Sequence, residues 1–225
     1  MHSIGKRITV SMITMNEEAS VAIVIKKIQN IIPDAEILIV DSSHDNTPAI
    51  AEALGARVIR QFPPRGYGPA MERALRESTR DVVITMDCDD TYPAEQIPTF
   101  ASLILEQGYD LVDGSRLKKK PDAMPWLNYL ANAGFAWIAT ILFFRKLTDL
   151  HSGMRAYRKS MINDLTFQAQ GAALPVELLL KPILKGYKVH ALFIDYHERI
   201  GVSTMRPLSS AWWTLKRMIT VRLFT

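Results

Sequence analysis

An open, mostly parallel α/β sheet flanked by helices is the fold this sequence predicts, and three observations predict it. Short apolar runs rich in β-branched residues alternate with segments of helical periodicity, an order that gives parallel strand pairing. Those runs end in Asp41, Asp87 and Arg116, which puts charge on one rim, where open sheets offer a crevice to ligands. With 225 residues, 48% of them hydrophobic, the chain can bury one full core.

In chain order, Ile8 to Ile13 reads as a strand. Thr14-Met15-Asn16-Glu17-Glu18 follows, with Asn16 as the expected N-cap of a helix that repeats Val21, Val24, Ile25 and Ile28 at helical spacing. Ile37 to Val40 is a second strand, and the small polar residues from Asp41 to Thr47 lead into a helix over Ala49 to Leu54. Val58-Ile59 is a short third strand. Pro63 to Ala70 is a turn before the helix of Met71 to Glu77. Its Gly66 and Gly68 let backbone N–H groups approach a phosphate, although turns need glycine anyway. A helix over roughly Pro93 to Glu106, a strand from Tyr109 to Asp113 ending in Gly114-Ser115-Arg116, a short strand at Ala156-Tyr157, a helix over Val176 to Leu184 and a strand from Val189 to Ile194 complete the body.

Two segments stand apart. The run from Met124 to Phe144 has no charge and, at about 20 residues, is long enough to span a bilayer. Its Asn128, Asn132, Gly134 and Thr140, and the motif residues on both sides of it, argue against a crossing. A buried amphipathic helix or one lying on a bilayer is left, and Lys118-Lys119-Lys120 favours membrane contact. Near the C-terminus Trp212 and Trp213 mix with Lys216 and Arg217, as in interfacial amphipathic helices. From Arg199 to Thr225 there are five basic residues and no acidic one, which suits an anionic membrane surface. We expect residues 1–205 to form one catalytic domain and 206–225 a membrane-interface segment leading towards transmembrane helices.

The composition also excludes. Cys88 is the only cysteine, so there is no internal disulfide, and without Cys or His neighbours it argues against structural zinc. The net charge is +4, but the basic residues are not interleaved with stacking aromatics in any nucleic-acid-binding module. No basic region followed by an apolar one marks a secretion signal at the N-terminus.

The chemistry centres on Val82-Val83-Ile84-Thr85-Met86-Asp87-Cys88-Asp89-Asp90, where a buried strand ends in three carboxylates. Residues i and i+2 of an extended segment point the same way, so Asp87 and Asp89 can share a hard cation, Mg²⁺ or Mn²⁺, whose shell a nucleoside diphosphate would complete. Capping of the next helix explains Asp90 but not a carboxylate still on the strand.

In their order these motifs resemble the family-2 glycosyltransferases of the GT-A fold, in particular the dolichyl-phosphate mannose synthase and polyprenyl-phosphate glycosyltransferase group. Thr14 to Glu18 and Asp41 to Thr47 are similar to the family's two nucleotide-binding segments, Gly66 to Ala70 to its glycine turn and Asp87-Cys88-Asp89 to its D-x-D. Gly114-Ser115-Arg116, Asp149 with Ser152-Gly153-Met154-Arg155, and Arg199 to Ser203 are similar to three later segments. Thr91 stands where some members have a third metal ligand, and Tyr67 where lysine is frequent.

The resemblance implies an inverting transfer of a hexose, mannose from GDP-mannose being favoured, to a polyprenyl (dolichyl) phosphate at the cytoplasmic face of the membrane. A lipid-linked sugar hydroxyl as acceptor, or UDP-glucose as donor, are alternatives. It implies that Thr14, Asn16, Glu17, Asp41, Gly66, Gly68 and Asp87 bind the donor and that Asp87 and Asp89 hold the metal. It places Arg116, Ser152, Arg155, Arg199 and Ser203 on the acceptor phosphate, with Asp149, Asp89 and Arg116 catalytic. A hydroxyl acceptor would need a base, Asp149 or, behind it, Glu177; the other reading of Asp149 is as the cap of its own turn. His197 could approach the metal or simply pack. A nucleotidylyltransferase would want a glycine-rich N-terminal loop that Ile8 to Glu18 lacks, and a membrane-binding module leaves the strand-end carboxylates unexplained.

Overall fold

Alternating side chains on buried strands feed two main cores, one on each face of a single sheet, and a small third cluster of Val40, Ala70 and Ala74. In the computed structural model, which describes residues 2–169, 173–201 and 207–224, a short helix α1 (His2–Gly5) precedes β1 (Ile8–Thr14), α2 (Val21–Ile31), β2 (Glu36–Asp41), α3 (Thr47–Ala53), β3 (Arg57–Arg60), α4 (Tyr67–Glu77) and β4 (Val82–Thr85). A 3₁₀ turn (Ala94–Gln96) leads into α5 (Ile97–Leu105), followed by β5 (Leu111–Ser115), α6 (Trp126–Phe143), β6 (Arg155–Arg158), α7 (Lys159–Asp164), α8 (Leu174–Leu184), β7 (Val189–Phe193) and α9 (Pro207–Phe224). Val82 and Ile84 enter the core under α2 and α5, while Val83 between them enters the core under α6, α8 and α9. This is the period of two expected of a strand covered on both faces.

The strand order is β3-β2-β1-β4-β6-β5-β7. The chain runs outward from β1 through β2 to β3 and then crosses back to place β4 on the other side of β1, so the order reverses between β1 and β4. The ends of those strands are where such sheets bind ligands. One strand departs from a purely parallel reading: β6 pairs antiparallel with both β4 and β5. The physical result is useful. Because β6 runs backwards, its first residue, Arg155, lies beside Thr85 at the end of β4, so the loop before it, with Asp149, Ser152 and Gly153, arrives on the same rim as Asp87.

Several local expectations are corrected. Asn16 does not cap α2; Ser20 holds the N-cap position, while Asn16 takes a left-handed φ of 62° and its Oδ1 accepts the His44 N–H at 2.9 Å. Asp90 caps nothing and instead holds Lys27 Nζ at 2.6 and 2.7 Å. The glycine turn is shorter than expected, since α4 already begins at Tyr67 and contains Gly68; Gly66, with φ of 90°, is the residue that needs to be glycine.

Helix α6 is neither buried nor narrowly amphipathic. Only Ala136, Ala139 and Phe143 are buried, while Trp126, Leu127, Leu130, Trp137 and Ile141 are at least half exposed. Helix α9 is docked by one side and open on the other. Thr214, Arg217, Met218 and Val221 are buried against the α6 and α8 layer, and Trp212, Ile219, Leu223 and Phe224 face outward. Arg217, expected at a membrane surface, is buried and paired with Glu177. Glu177, expected behind Asp149 as a base, is thereby a docking residue that also accepts Lys181 Nζ at 3.3 Å.

Candidate active site

Three carboxylates of one rim have unlike surroundings. Asp41, at the end of β2, is fully buried and its oxygens are all engaged. Oδ1 accepts the hydroxyls of Thr14 at 2.7 Å and Ser43 at 2.6 Å, and Oδ2 accepts the Ser43 N–H at 3.1 Å and pairs closely with Arg60. Arg60 Nη2 also donates to the Ser43 carbonyl at 2.8 Å. Asn16 N–H reaches Ser43 Oγ at 2.8 Å and Glu17 N–H reaches Thr47 Oγ1 at 2.9 Å. Asp41 is thus the knot that ties the segments Thr14 to Glu18 and Asp41 to Thr47 together, and its own oxygens are not free for a ligand.

Asp89 differs. Oδ1 accepts both the N–H and the hydroxyl of Thr91, at 3.1 and 2.6 Å, so Thr91 orients the carboxylate rather than extending a ligand set. Oδ2 is buried and accepts no hydrogen bond among the described residues; Arg199 Nη2 lies 2.6 Å away as an ion pair without hydrogen-bond geometry. A buried carboxylate oxygen without a bonded donor is costly unless a charge completes it. Asp87 stands nearby. Burial first, and then the Asp89 charge, push its pKa up to about 7, with Arg199 and Arg116 opposing. Gly153 makes room for it, because a Cβ there would meet Asp87 Oδ1 at 2.9 Å. These two oxygen-bearing groups suit a hard divalent cation. Among the described residues no third His, Cys, Asp or Glu joins them in a ligand cluster, His197 included, so exogenous oxygens, such as those of a diphosphate, would have to fill the rest of a shell.

Glu17 lies in the same field. Burial raises its pKa and the Asp89 charge adds to that, against the Ser20 hydroxyl and Arg199. Its Oε2 would be 3.8 Å from a Cβ at Gly201, so the Arg199 segment passes directly beside it.

On the other side Arg116 is clamped. Its Nε and Nη2 donate to Asp149 at 2.7 and 3.0 Å, its backbone N–H to the same carboxylate at 3.2 Å, and its guanidinium lies 5.3 Å from the Tyr196 ring centroid. Asp149 also accepts the His151 N–H at 3.0 Å. Burial alone would raise the Asp149 pKa, but the Arg116 charge and hydrogen bonds outweigh it and leave the carboxyl below its usual range. An ionised carboxylate with both oxygens engaged is a weak proton acceptor, and it steadies an arginine well.

Other expected residues are not brought together here. Arg155 is fully buried, with Nε on Asp113 at 2.5 Å, Nη2 on the Leu150 carbonyl at 2.9 Å and Nη1 closely on the Pro175 carbonyl, so it is a core residue and not a phosphate ligand. Ser152 Oγ is buried and bonds within its own turn to Met154. Ser203 lies outside the described residues. Sequence reasoning missed the aromatic wall. Tyr92 OH accepts the Gly153 N–H at 2.7 Å, Tyr92 meets Tyr196 edge to face at 5.6 Å, and the Asp87 charge is among the influences that raise the pKa of Tyr67. Tyrosines three residues past Asp89 and three before Arg199 were the available signal.

The description "Glycosyl transferase family 2" matches residues 9–166, and the chain belongs to that family. It is 42% identical over 203 residues to a dolichyl-phosphate hexose transferase of Haloferax volcanii, covering 90% of this chain and 88% of that protein. It is 29% identical over 186 residues to a dolichol-phosphate mannosyltransferase of Pyrococcus furiosus, of which it spans only 53%, using 78% of its own length. Among solved structures it is similar to glucosyl-3-phosphoglycerate synthase of Mycobacterium tuberculosis in complex with UDP, at a TM-score of 0.76 and 21% identity over 98% of this chain and 82% of that one; the same enzyme is also known with Mn²⁺, UDP and glucosyl-3-phosphoglycerate.

Proposed function

We propose that this glycosyltransferase moves a hexose, most readily mannose from GDP-mannose, to a polyprenyl (dolichyl) phosphate at the cytoplasmic face of a membrane, with inversion. The observation that carries the reading is the Asp87 and Asp89 pair, short of hydrogen bonds, with Arg116 and Arg199 around it. The names of the Haloferax and Pyrococcus relatives support the lipid-phosphate acceptor and the hexose.

Asp87 and Asp89 would hold a Mg²⁺ or Mn²⁺ ion, which when bound supplies Lewis acidity worth several kcal/mol to the departing diphosphate. Glu17, beside this pair, accepts hydrogen bonds from ribose or base, and Asp41 and Asn16 keep its loop in place. Arg116 offers the acceptor phosphate a guanidinium whose direction Asp149 fixes, and Arg199 a second one. A phosphate monoester with a second pKa of about 6 is mostly dianionic at neutral pH, so its oxygen attacks the anomeric carbon without losing a proton. The engagement of Asp149 by Arg116 favours this acceptor over a sugar hydroxyl, because the hydroxyl would need the free base that the site does not offer.

A lipid-borne acceptor also accounts for the outer faces of α6 and α9. All four tryptophans of the chain, Trp126, Trp137, Trp212 and Trp213, are exposed on these two helices. Each large apolar side chain left in water forgoes about 1.5–3 kcal/mol of burial, and neither helix carries an acidic residue, while Lys118 to Lys120, Arg145, Lys146 and Lys216 flank or join them. Helix α9 (Pro207–Phe224) then serves as an interfacial helix, steadied by Arg217 on Glu177.

The test is product analysis. The protein is offered labelled GDP-mannose or UDP-glucose, dolichyl phosphate or a lipid-linked oligosaccharide, and Mn²⁺. Label in dolichyl-phosphate hexose is the expected outcome. Label only in extended oligosaccharide would overturn the acceptor, and co-sedimentation unaffected by anionic liposomes would overturn the membrane surface.

A further inference from the structure

Arg199 and Asp89 meet in an arrangement that a bound cation would disrupt. Thr91 occupies Asp89 Oδ1 through its N–H and hydroxyl, which leaves Oδ2 as the Asp89 oxygen open to a metal, and Arg199 Nη2 stands 2.6 Å from that oxygen. We propose that Arg199 is an exchangeable counterion: it neutralises Asp89 while no cation is bound, is displaced from Oδ2 when a divalent cation arrives, and only then turns to the acceptor phosphate. This rests on the proposed cation site at Asp87 and Asp89.

A Mg²⁺-sized ion bonded to Oδ2 at roughly 2.0–2.1 Å would stand against the guanidinium, and two cations cannot share one buried oxygen without strong repulsion. Displacement need not disturb the fold. Ile200 N–H donates to the Asp89 carbonyl and His197 N–H to the Thr91 carbonyl, each at 2.9 Å, so the backbone of 197–200 stays pinned to the loop that carries Asp89. The Arg199 side chain is 32% exposed, so it can swing while its backbone holds. Arg116 has no such freedom, since Asp149 takes two of its guanidinium nitrogens. The site therefore contains one fixed and one movable arginine.

The experiment is a Mn²⁺ titration without nucleotide, followed by the electron paramagnetic resonance signal of the free ion, on the wild type, Arg199→Gln and Asp89→Asn. Removing the competing guanidinium should tighten Mn²⁺ binding about fivefold or more, the lower end of typical coupling between sites, and Asp89→Asn should abolish it. A purely structural Arg199 would leave affinity unchanged or lower it. Either result, with binding still lost in Asp89→Asn, overturns the exchange and leaves the cation site standing. Equal affinity in the wild type and Asp89→Asn overturns both.

Discussion

Asp41 and Asp89 stand on either side of β1, at or just past the ends of β2 and β4, and both are almost completely buried. Asp41 has a donor for each oxygen and a guanidinium as counterion. Asp89 also has a guanidinium nearby, Arg199, but only one of its oxygens is satisfied, by Thr91, and the other accepts no hydrogen bond among the described residues. It stands beside an Asp87 whose pKa burial has lifted. The difference teaches how to read a rim crowded with carboxylates. A buried charge with all its partners in the chain builds the site, and one whose partners are incomplete is waiting for something from outside. By the same rule Asp149, held by Arg116 and His151, belongs with Asp41.

Substitutions should break this comparison unequally. Asp89→Asn is expected to lower turnover about 10²-fold or more, the scale of one preorganised electrostatic contribution at a leaving group, with little change in melting temperature; full activity of the variant, or of the wild type in excess EDTA, would erase the distinction. Next comes pH. Deprotonation of Asp87, whose pKa is about 7, must precede metal binding, so Mn²⁺ affinity should fall roughly tenfold per unit below that value, a slope that Asp87→Asn should lack. Asp149→Asn is expected to keep activity within about tenfold, against the 10²–10⁴-fold loss of a true general base.

Stability sharpens the contrast, because the signs oppose. The folded-state pKa of Asp87 is raised, so the native state holds a proton that the unfolded chain releases, and stability falls as pH rises from about 4 to about 7. Asp87→Asn should therefore melt higher than the wild type at pH 8. Asp149 is depressed, so its stabilisation is present above the unfolded carboxyl pKa and is lost as pH falls through the folded one. Asp149→Asn should melt lower at pH 8. The smallest effect on catalysis belongs to Asp41→Asn, expected to cost about 1–3 kcal/mol of stability through its charged hydrogen bonds, or several degrees at this chain length, while turnover stays within a few fold. A thermal scan at two pH values and a rate assay check all of these.

Sequence carried the layered sheet because the strands are continuous apolar runs with a two-residue alternation between cores, and it carried the rim because Asp41, Asp87 and Arg116 end such runs. It could not carry direction: the four residues of β6 have no signature of antiparallel pairing, and only the register of Arg155 beside Thr85 reveals it. Nor could it distinguish arginines. Arg116, Arg155 and Arg199 look alike in order and motif, yet one is clamped, one is buried on Asp113 and one is half-exposed on Asp89, and these fates depend on partners from distant elements. Arg217 was misread for the same reason, since its partner Glu177 sits 40 residues away on α8. The tyrosines at 92 and 196 come together only through the fold.

The central claim, that the incompletely bonded pair and not the fully bonded Asp41 receives metal and diphosphate, is tested most directly by thermal stabilisation with GDP. Binding to the native state alone raises apparent stability by about 2.7 kcal/mol at a hundredfold excess over Kd. The wild type and Asp41→Asn should each shift upward with GDP only when Mn²⁺ is present, and Asp89→Asn should show no shift. A shift that persists in Asp89→Asn or in EDTA, or that disappears in Asp41→Asn alone, would contradict it.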